Sequence, residues 1–378
     1  MGNLFFYGTL CHVTLLEAVL DAAPGSLGHR ISEAHLDGFG VYWVKDQPYP
    51  TIQSNGSSSA VGIVLKDVAQ DEEARLSYYE GGFSYDLKSV EVRLDGGTIT
   101  ASCYFPVSDA QTLGAPWSLA DWASRWGGMA VGAARDVMLR FETDTAEAVA
   151  PLRPFFMARH WARKLAQKAD VPARRRRGAQ AGDVTISTRH RGYRGFFELA
   201  VFDFDYTRFD GSRAPSLTRE AFLAFDAALV LPYDPKTDRL LLIEQMRFGP
   251  LWREDPNPWI FEPIAGLVDA GEDPMETARR EAQEEAGLAL GPMELMTRVY
   301  ASPGYSTEFF HCFLAVADLS SYEAQVGGLL SEHEDIRSHV MSFDEAMGLI
   351  ATGEVNAGPL VMMLYWLAAH RDRLRAAA

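Results

Sequence analysis

Cysteine is scarce: three residues in 378, Cys11, Cys103 and Cys312, too far apart to form a metal-binding or redox motif. That usage suits a reducing compartment, and the cytoplasm is the expected location. Long apolar runs are lacking as well. The longest, around Leu360 to Ala369, is too short to span a bilayer and ends in Arg371, Arg373 and Arg375. The N-terminus is apolar without a basic leader, and Tyr7-Gly8-Thr9 suits a strand and turn better than a signal peptide. Position 6 is Phe, so Gly2 opens no myristoylation motif. Positive charge is in deficit: the formal net charge of -16 argues against a general nucleic-acid binder. An anionic substrate would therefore need local arginines. No internal repeat is visible.

Apolar content of 47% is ample for packed cores, and the length implies two domains with a connector. Residues 1–145 read as β-rich, with strands at Leu4 to Tyr7 and Ala60 to Val68. A hairpin over Tyr85 to Phe105 turns at Asp95-Gly96-Gly97, and a helix runs through Leu15, Leu16 and Leu20. A tryptophan-rich segment (Trp117, Trp122, Trp126) reads as helical. Residues 146–184 read as a helical and basic connector containing Arg174 to Arg177, a run better taken as solvated linker than as a nucleic-acid or membrane site. In 185–378, strands are expected at Gly195 to Tyr206, Ala227 to Pro232, Leu240 to Gln245 and Phe309 to Val316, and Trp259 to Ile264 leads into a glycine loop and helix. Helices over Phe343 to Ile350 and Leu360 to Leu374 would close an α+β sandwich.

The densest chemistry lies between Gly266 and Leu288. Asp273, Pro274 and Glu276 read as N-cap, first helical residue and capping-box acid, and Gly287 as the helix stop. Glu281 and Glu285, four apart, share a helical face with Glu284 beside them. A solvated acidic face is the plain alternative. The preceding glycine loop and the spacing favour a site for a hard cation, magnesium first and manganese second.

Gly266, Glu272, Arg280-Glu281, Glu284-Glu285 and Gly287 resemble the box of the Nudix pyrophosphohydrolases. Further segments carry the resemblance to the ADP-ribose pyrophosphatase branch, over about residues 185–372: Arg194 to Phe197, Arg219-Glu220, Ile243 to Arg247, Trp259 to Gly266, Ala301 to Gly304 and Glu332 to Arg337. The resemblance implies that the Ala265 carbonyl, Glu281, Glu285 and Glu334 ligate magnesium and that Glu332 activates the attacking water. Arg280 and Glu284 complete the catalytic set. Arg247 would contact the phosphates and Phe196 would stack on adenine. Arg219 and Glu220 would reach the site of a partner subunit in a swapped homodimer. Tyr305 departs from the small residue usual after Ser-Pro-Gly, which leaves the nucleotide sugar open. ADP-ribose, cleaved to AMP and ribose 5-phosphate, is the first choice. GDP-mannose is an alternative, as is a nucleotide sensor with the N-terminal domain as output; nucleic-acid and membrane partners are not expected.

Phe5-Phe6-Tyr7-Gly8-Thr9-Leu10 and Tyr78-Tyr79-Glu80-Gly81 resemble the γ-glutamylcyclotransferase-like family over about 1–110. There the Tyr7, Gly8, Thr9 and Leu10 turn would bind a substrate carboxylate and Glu80 would act as acid and base. The basic residue usual on the strand after the Glu is not evident, so weak or absent action on free γ-glutamyl amino acids is expected. A packing or regulatory module is the alternative.

Overall fold

The computed structural model describes residues 2–82, 85–107, 111–169, 174–190, 192–329 and 333–378. The chain divides between Trp161 and Ala162 into two compact units.

In the first unit the strands are β1 (Gly2–Phe6), β2 (Ile31–Val44), β3 (Pro50–Val68), β4 (Tyr85–Leu94), β5 (Gly97–Pro106) and β6 (Leu113–Pro116). They form a sheet in the order β3-β1-β5-β4-β2-β6, and a further β2–β3 pairing closes it into a barrel. The pleat of β1 separates two cores: Leu4 and Phe6 join one cluster, Phe5 and Tyr7 the other. The cluster of Leu4 and Phe6 is helical. It takes in Leu15, Leu16 and Val19 of α1 (Val13–Leu20), Leu76 of α2 (Gln70–Glu80), Trp122 of α3 (Leu119–Trp122) and Val137 of α4 (Gly128–Met138). Val149 of α5 (Ala146–Val149) and Phe156 of α6 (Arg153–Lys168) are buried in the same cluster. The hairpin turns where Asp95-Gly96-Gly97 predicts, with Leu94 paired to Gly97.

In the second unit a three-stranded antiparallel sheet, β7 (Val184–His190), β8 (Glu198–Tyr206) and β9 (Leu217–Leu223), has an exposed β7, a half-buried β8 and no fully buried residue. The expected strand from Gly195 begins three residues later. Gly195 N–H donates to the Phe197 carbonyl (2.8 Å), a local turn that withholds these groups from the ladder.

The second sheet is built on β10 (Asp226–Asp234), buried at all nine positions. It pairs antiparallel with β11 (Arg239–Met246) and parallel with β15 (Phe309–Val316). The stretch Trp259 to Ile264, which leads into the glycine loop, is divided between two strands. β12 (Trp259–Glu262) pairs with β11, and β13 (Ile264–Leu267) pairs with β10. Pro263, between them, has no N–H to give either ladder. β14 (Met293–Tyr300), β16 (Val326–Gly327) and β17 (Ile336–Ser342) complete the sheet. Leu229, Leu231 and Tyr233 pack with α9 (Phe343–Thr352) and α10 (Gly358–Ala376), while α8 (Pro274–Ala286) contacts β10 and buries Ala278 and Ala282. Helices therefore cover both faces. A short helix, α7 (Phe248–Trp252), follows β11. Among the described residues no helix is long and apolar enough to cross a membrane.

Helix α8 starts at Asp273 and Pro274 and stops at Gly287 as its sequence predicts, but Glu276 closes no capping box among the described hydrogen bonds and lies 3.6 Å from Arg279 Nε instead. Asp273 Oδ1 accepts from Met275 N–H (2.9 Å), and Pro274 is the first helical residue. Gly287 takes the left-handed conformation (φ 57°), and its N–H donates to the Gln283 carbonyl (3.0 Å). Asp273→Ala should cost about 1 kcal/mol of stability, the usual value of a lost N-cap, read as a lower denaturant midpoint for the C-terminal unit. An unchanged midpoint would remove the cap from the account of this helix.

Candidate active site

The C-terminal site forms where β13 runs beside α8. Ala265 N–H donates to Glu285 Oε2 (3.2 Å), tying strand to helix. Gly266 lies against the next carboxylate: a Cβ there would stand 1.8 Å from Glu281 Oε1, so glycine is what lets Glu281 approach the strand.

Arg280 joins loop to helix. Its Nη1 donates to Glu281 Oε1 (2.6 Å) and Glu284 Oε2 (3.0 Å), its Nη2 to Glu272 Oε2 (3.2 Å) and to the Leu267 carbonyl (3.3 Å). Even with this cation beside it, burial pushes the Glu281 carboxyl up to about 7, and Glu284 and Glu334 add to the rise. Glu285, 2% exposed, is raised well above the ordinary range by burial and then by Glu281 and Glu334; the Ala265 N–H and Arg247 only partly oppose this.

Glu334 comes from the segment before β17, and its Oε2 accepts from Leu329 N–H (3.0 Å). Ala265, Glu281, Glu285 and Glu334 are thus brought into one neighbourhood. Glu332 lies outside the described residues. Among the described residues no three acidic, His or Cys side chains already converge as a closed metal cage. The donors nonetheless fit a hard cation. Buried Glu285 stands close to half-buried Glu281 and Glu334, their oxygens are the ligand type such ions take, and a cation would relieve the charge that now favours protonation.

Arg247 is in range of Glu285 and is held by Glu262, whose Oε2 lies 2.6 Å from Nε. Burial raises the Glu308 carboxyl, Arg247 lowers it and Glu262 raises it. Glu262 and Glu308 are neighbours of the arginine that the sequence did not single out. Glu262 stands opposite Ile243, four residues before Arg247, so the arginine side chain reaches back along β11 to meet it. Phe196 is 38% exposed and packs edge-on against Phe197 (4.6 Å) and tilted against Phe225 (5.4 Å). Arg219 and Glu220 sit on the exposed middle of β9, and no described hydrogen bond or ion pair ties them to the glutamate cluster. The loop with Tyr305 docks on the end of β9: Phe222 N–H donates to the Tyr305 carbonyl (2.7 Å), and the Tyr305 ring is exposed.

In the N-terminal unit, Tyr7 and Leu10 are buried and Gly8 and Thr9 half-buried. A Cβ on Gly8 would stand 3.0 Å from Pro50 Cγ. Glu80 ends α2 half-buried, and desolvation pushes its carboxyl up to about 7 against the pull of Arg153. Burial first, and Tyr85, Cys103 and Glu80 after it, raise the Tyr7 phenol. Tyr7 and Glu80 therefore stand in one electrostatic neighbourhood. Tyr85 and Arg153 belong to it too, and the sequence reading missed both. Arg153 carries no local motif; only folding brings it to a residue 73 positions earlier.

A NUDIX domain model matches residues 224–364, and a gamma-glutamyl cyclotransferase, AIG2-like model matches residues 4–124. The ADP-ribose pyrophosphatase of Escherichia coli (strain K12) is 36% identical over 193 residues, 51% of this chain and 91% of that one. That of Haemophilus influenzae is 35% identical over 187 residues, 49% of this chain and 86% of the relative. A GDP-mannose pyrophosphatase of Escherichia coli O1:K1 / APEC is 33% identical over 172 residues, 46% and 88% of the two chains.

The raised Glu80 carboxyl makes stability depend on pH. Between the ordinary 4.5 and about 7, the folded chain keeps a proton that the unfolded chain has released. The N-terminal unit should therefore be most stable below this window, lose stability as pH rises through it and level off above. Thermal scans from acid to mildly alkaline pH should show the fall in wild type and a flatter profile in Glu80→Gln. Equal slopes would mean that Glu80 is solvated.

Proposed function

The chain belongs to the Nudix hydrolase family, and from that premise we propose that its C-terminal unit hydrolyses the pyrophosphate bond of a nucleoside diphosphate sugar, using a divalent cation. ADP-ribose, split to AMP and ribose 5-phosphate, is the preferred substrate, with GDP-mannose second. Magnesium is the preferred ion, with manganese second. The observation that carries this reading is the crowding of Glu281, Glu285 and Glu334 beside Ala265, with Glu285 almost wholly buried. Relatives named for both substrates match the same half of the chain.

The Ala265 carbonyl, Glu281, Glu285 and Glu334 hold the cation. When bound, it supplies Lewis-acid neutralisation of the pyrophosphate oxygens. Arg280 restrains Glu281 and Glu284, so these carboxylates are oriented before substrate arrives. Arg247 binds phosphate oxygens; the substrate competes there with Glu262 for the guanidinium. Glu332 takes the proton from the attacking water as general base. Phe196 offers its exposed ring to adenine. Arg219 and Glu220, exposed on β9, contribute to the site of a second subunit in a cytoplasmic homodimer.

Product analysis of the purified chain against a panel of nucleotide sugars, with and without magnesium, tests the reading. Glu285→Gln should lower the rate on the order of 10²–10⁴-fold. Turnover that survives EDTA, or a mutant within about tenfold of wild type on the same scale, would sink the assignment.

Light scattering at micromolar concentration should give twice the 41.8 kDa of one chain. A fully active monomer would contradict the proposed sharing of Arg219 and Glu220.

A further inference from the structure

The turn carrying Glu80 is held from outside the segment that the cyclotransferase model matches. After Glu80 come Gly81 and Gly82. A Cβ on Gly81 would stand 2.6 Å from Ala146 Cβ, and one on Gly82 would stand 2.7 Å from Ala150 Cβ. Gly82 also has φ +83°, a conformation that side chains disfavour. Both glycines are therefore pressed against α5 and the turn after it. The next residues start α6, whose first residue is Arg153. Its Nη2 donates to the Tyr79 carbonyl, and its guanidinium stands 4.7 Å from the centre of the Tyr79 ring. One side chain thus binds the backbone and the ring of the residue immediately before Glu80.

We propose that Arg153 is the positioning cation of the N-terminal acidic site, supplied by a helix beyond the matched segment in place of the basic residue missing from the strand after Glu80. β4 carries Lys88, which lies over the Phe105 ring (5.6 Å), and Arg93, which donates to Asp37 (3.1 Å). The titratable and charged groups in electrostatic range of Glu80 are Tyr7 just after β1, Tyr79 from α2, Tyr85 from β4, Tyr104 from β5 and Arg153. Four are phenols, neutral at physiological pH, which burial and the charge of Glu80 raise further. Arg153 is the permanent positive charge among these five, and it opposes the burial that favours protonated Glu80. With both influences acting, Glu80 titrates near neutrality, where a carboxyl can both accept and return a proton. The inference concerns the first unit alone and stands or falls independently of the pyrophosphohydrolase reading.

The test uses the full chain with isotope-labelled glutamate, the Glu80 carboxyl resonance being identified by its loss in Glu80→Gln. Arg153→Gln keeps a donor for the Tyr79 carbonyl and removes the charge. Arg153→Lys keeps the charge and removes the planar fork. The Glu80 midpoint should rise by about one pH unit in Arg153→Gln and stay with wild type in Arg153→Lys. A purely structural role would lower the thermal midpoint of both variants without this split. An unchanged titration in folded Arg153→Gln overturns the proposal. If Arg153→Gln does not fold, Arg153→Lys decides: a midpoint held at the wild-type value supports the proposal, and one that rises overturns it.

Discussion

The C-terminal site depends on one guanidinium. Arg280 reaches the loop acid Glu272, the helix acids Glu281 and Glu284 and the strand carbonyl of Leu267. Without a cation at that point, the glycine loop and the start of α8 would set like charges against one another with little water to screen them. A planar fork with several donors can join three carboxylates and a carbonyl where a lysine would make a single point contact. The arrangement also divides labour between acids on one helix. Glu284 and Glu281 share the internal cation, while Glu285, one residue further on, faces the strand, where the Ala265 N–H and Arg247 are the partners among the described residues that favour its charge. That asymmetry leaves Glu285 with less positive charge near it than Glu281 or Glu284, which is what the proposed role as a cation ligand draws on.

Legibility in the sequence followed the distance over which each feature is encoded. Helix α8 was readable end to end because Asp273, Pro274 and Gly287 act within a turn of their own positions. The hairpin at Asp95-Gly96-Gly97 was readable for the same reason. The β8 boundary was misplaced because a period-two pattern says nothing of the turn that Gly195 and Phe197 close between themselves. The division of Trp259 to Ile264 into two strands was written in Pro263, yet which neighbour each half would join depends on the whole sheet.

The candidate sites repeat that lesson. The carboxylates of α8 were visible as a spacing, whereas the pairing of Arg247 with Glu262 needs the register of two strands. Tyr85 and Arg153 are further still from Glu80 in the information they carry. One sits on the strand after the turn, the other on a helix that no motif connects to it. A family match that ends at residue 124 describes the barrel and stops short of the helices pressed against its acidic turn.

The strand break at Pro263 bears on how this site can vary over generations. Three of the four groups gathered beside α8 are side chains, and each is one codon change from loss. The fourth, at Ala265, is main chain, so substitution leaves its oxygen in place. What fixes it is register: Ala265 opposite Leu229, Gly266 opposite Ala228. A one-residue slip of β13 would turn each of its side chains to the other face and bring a different carbonyl to the carboxylates. Drift at this corner is therefore constrained through chain length between Glu262 and Asp273 as well as through residue identity at Gly266, Glu272 and Asp273. Insertions and deletions there should be far rarer than replacements.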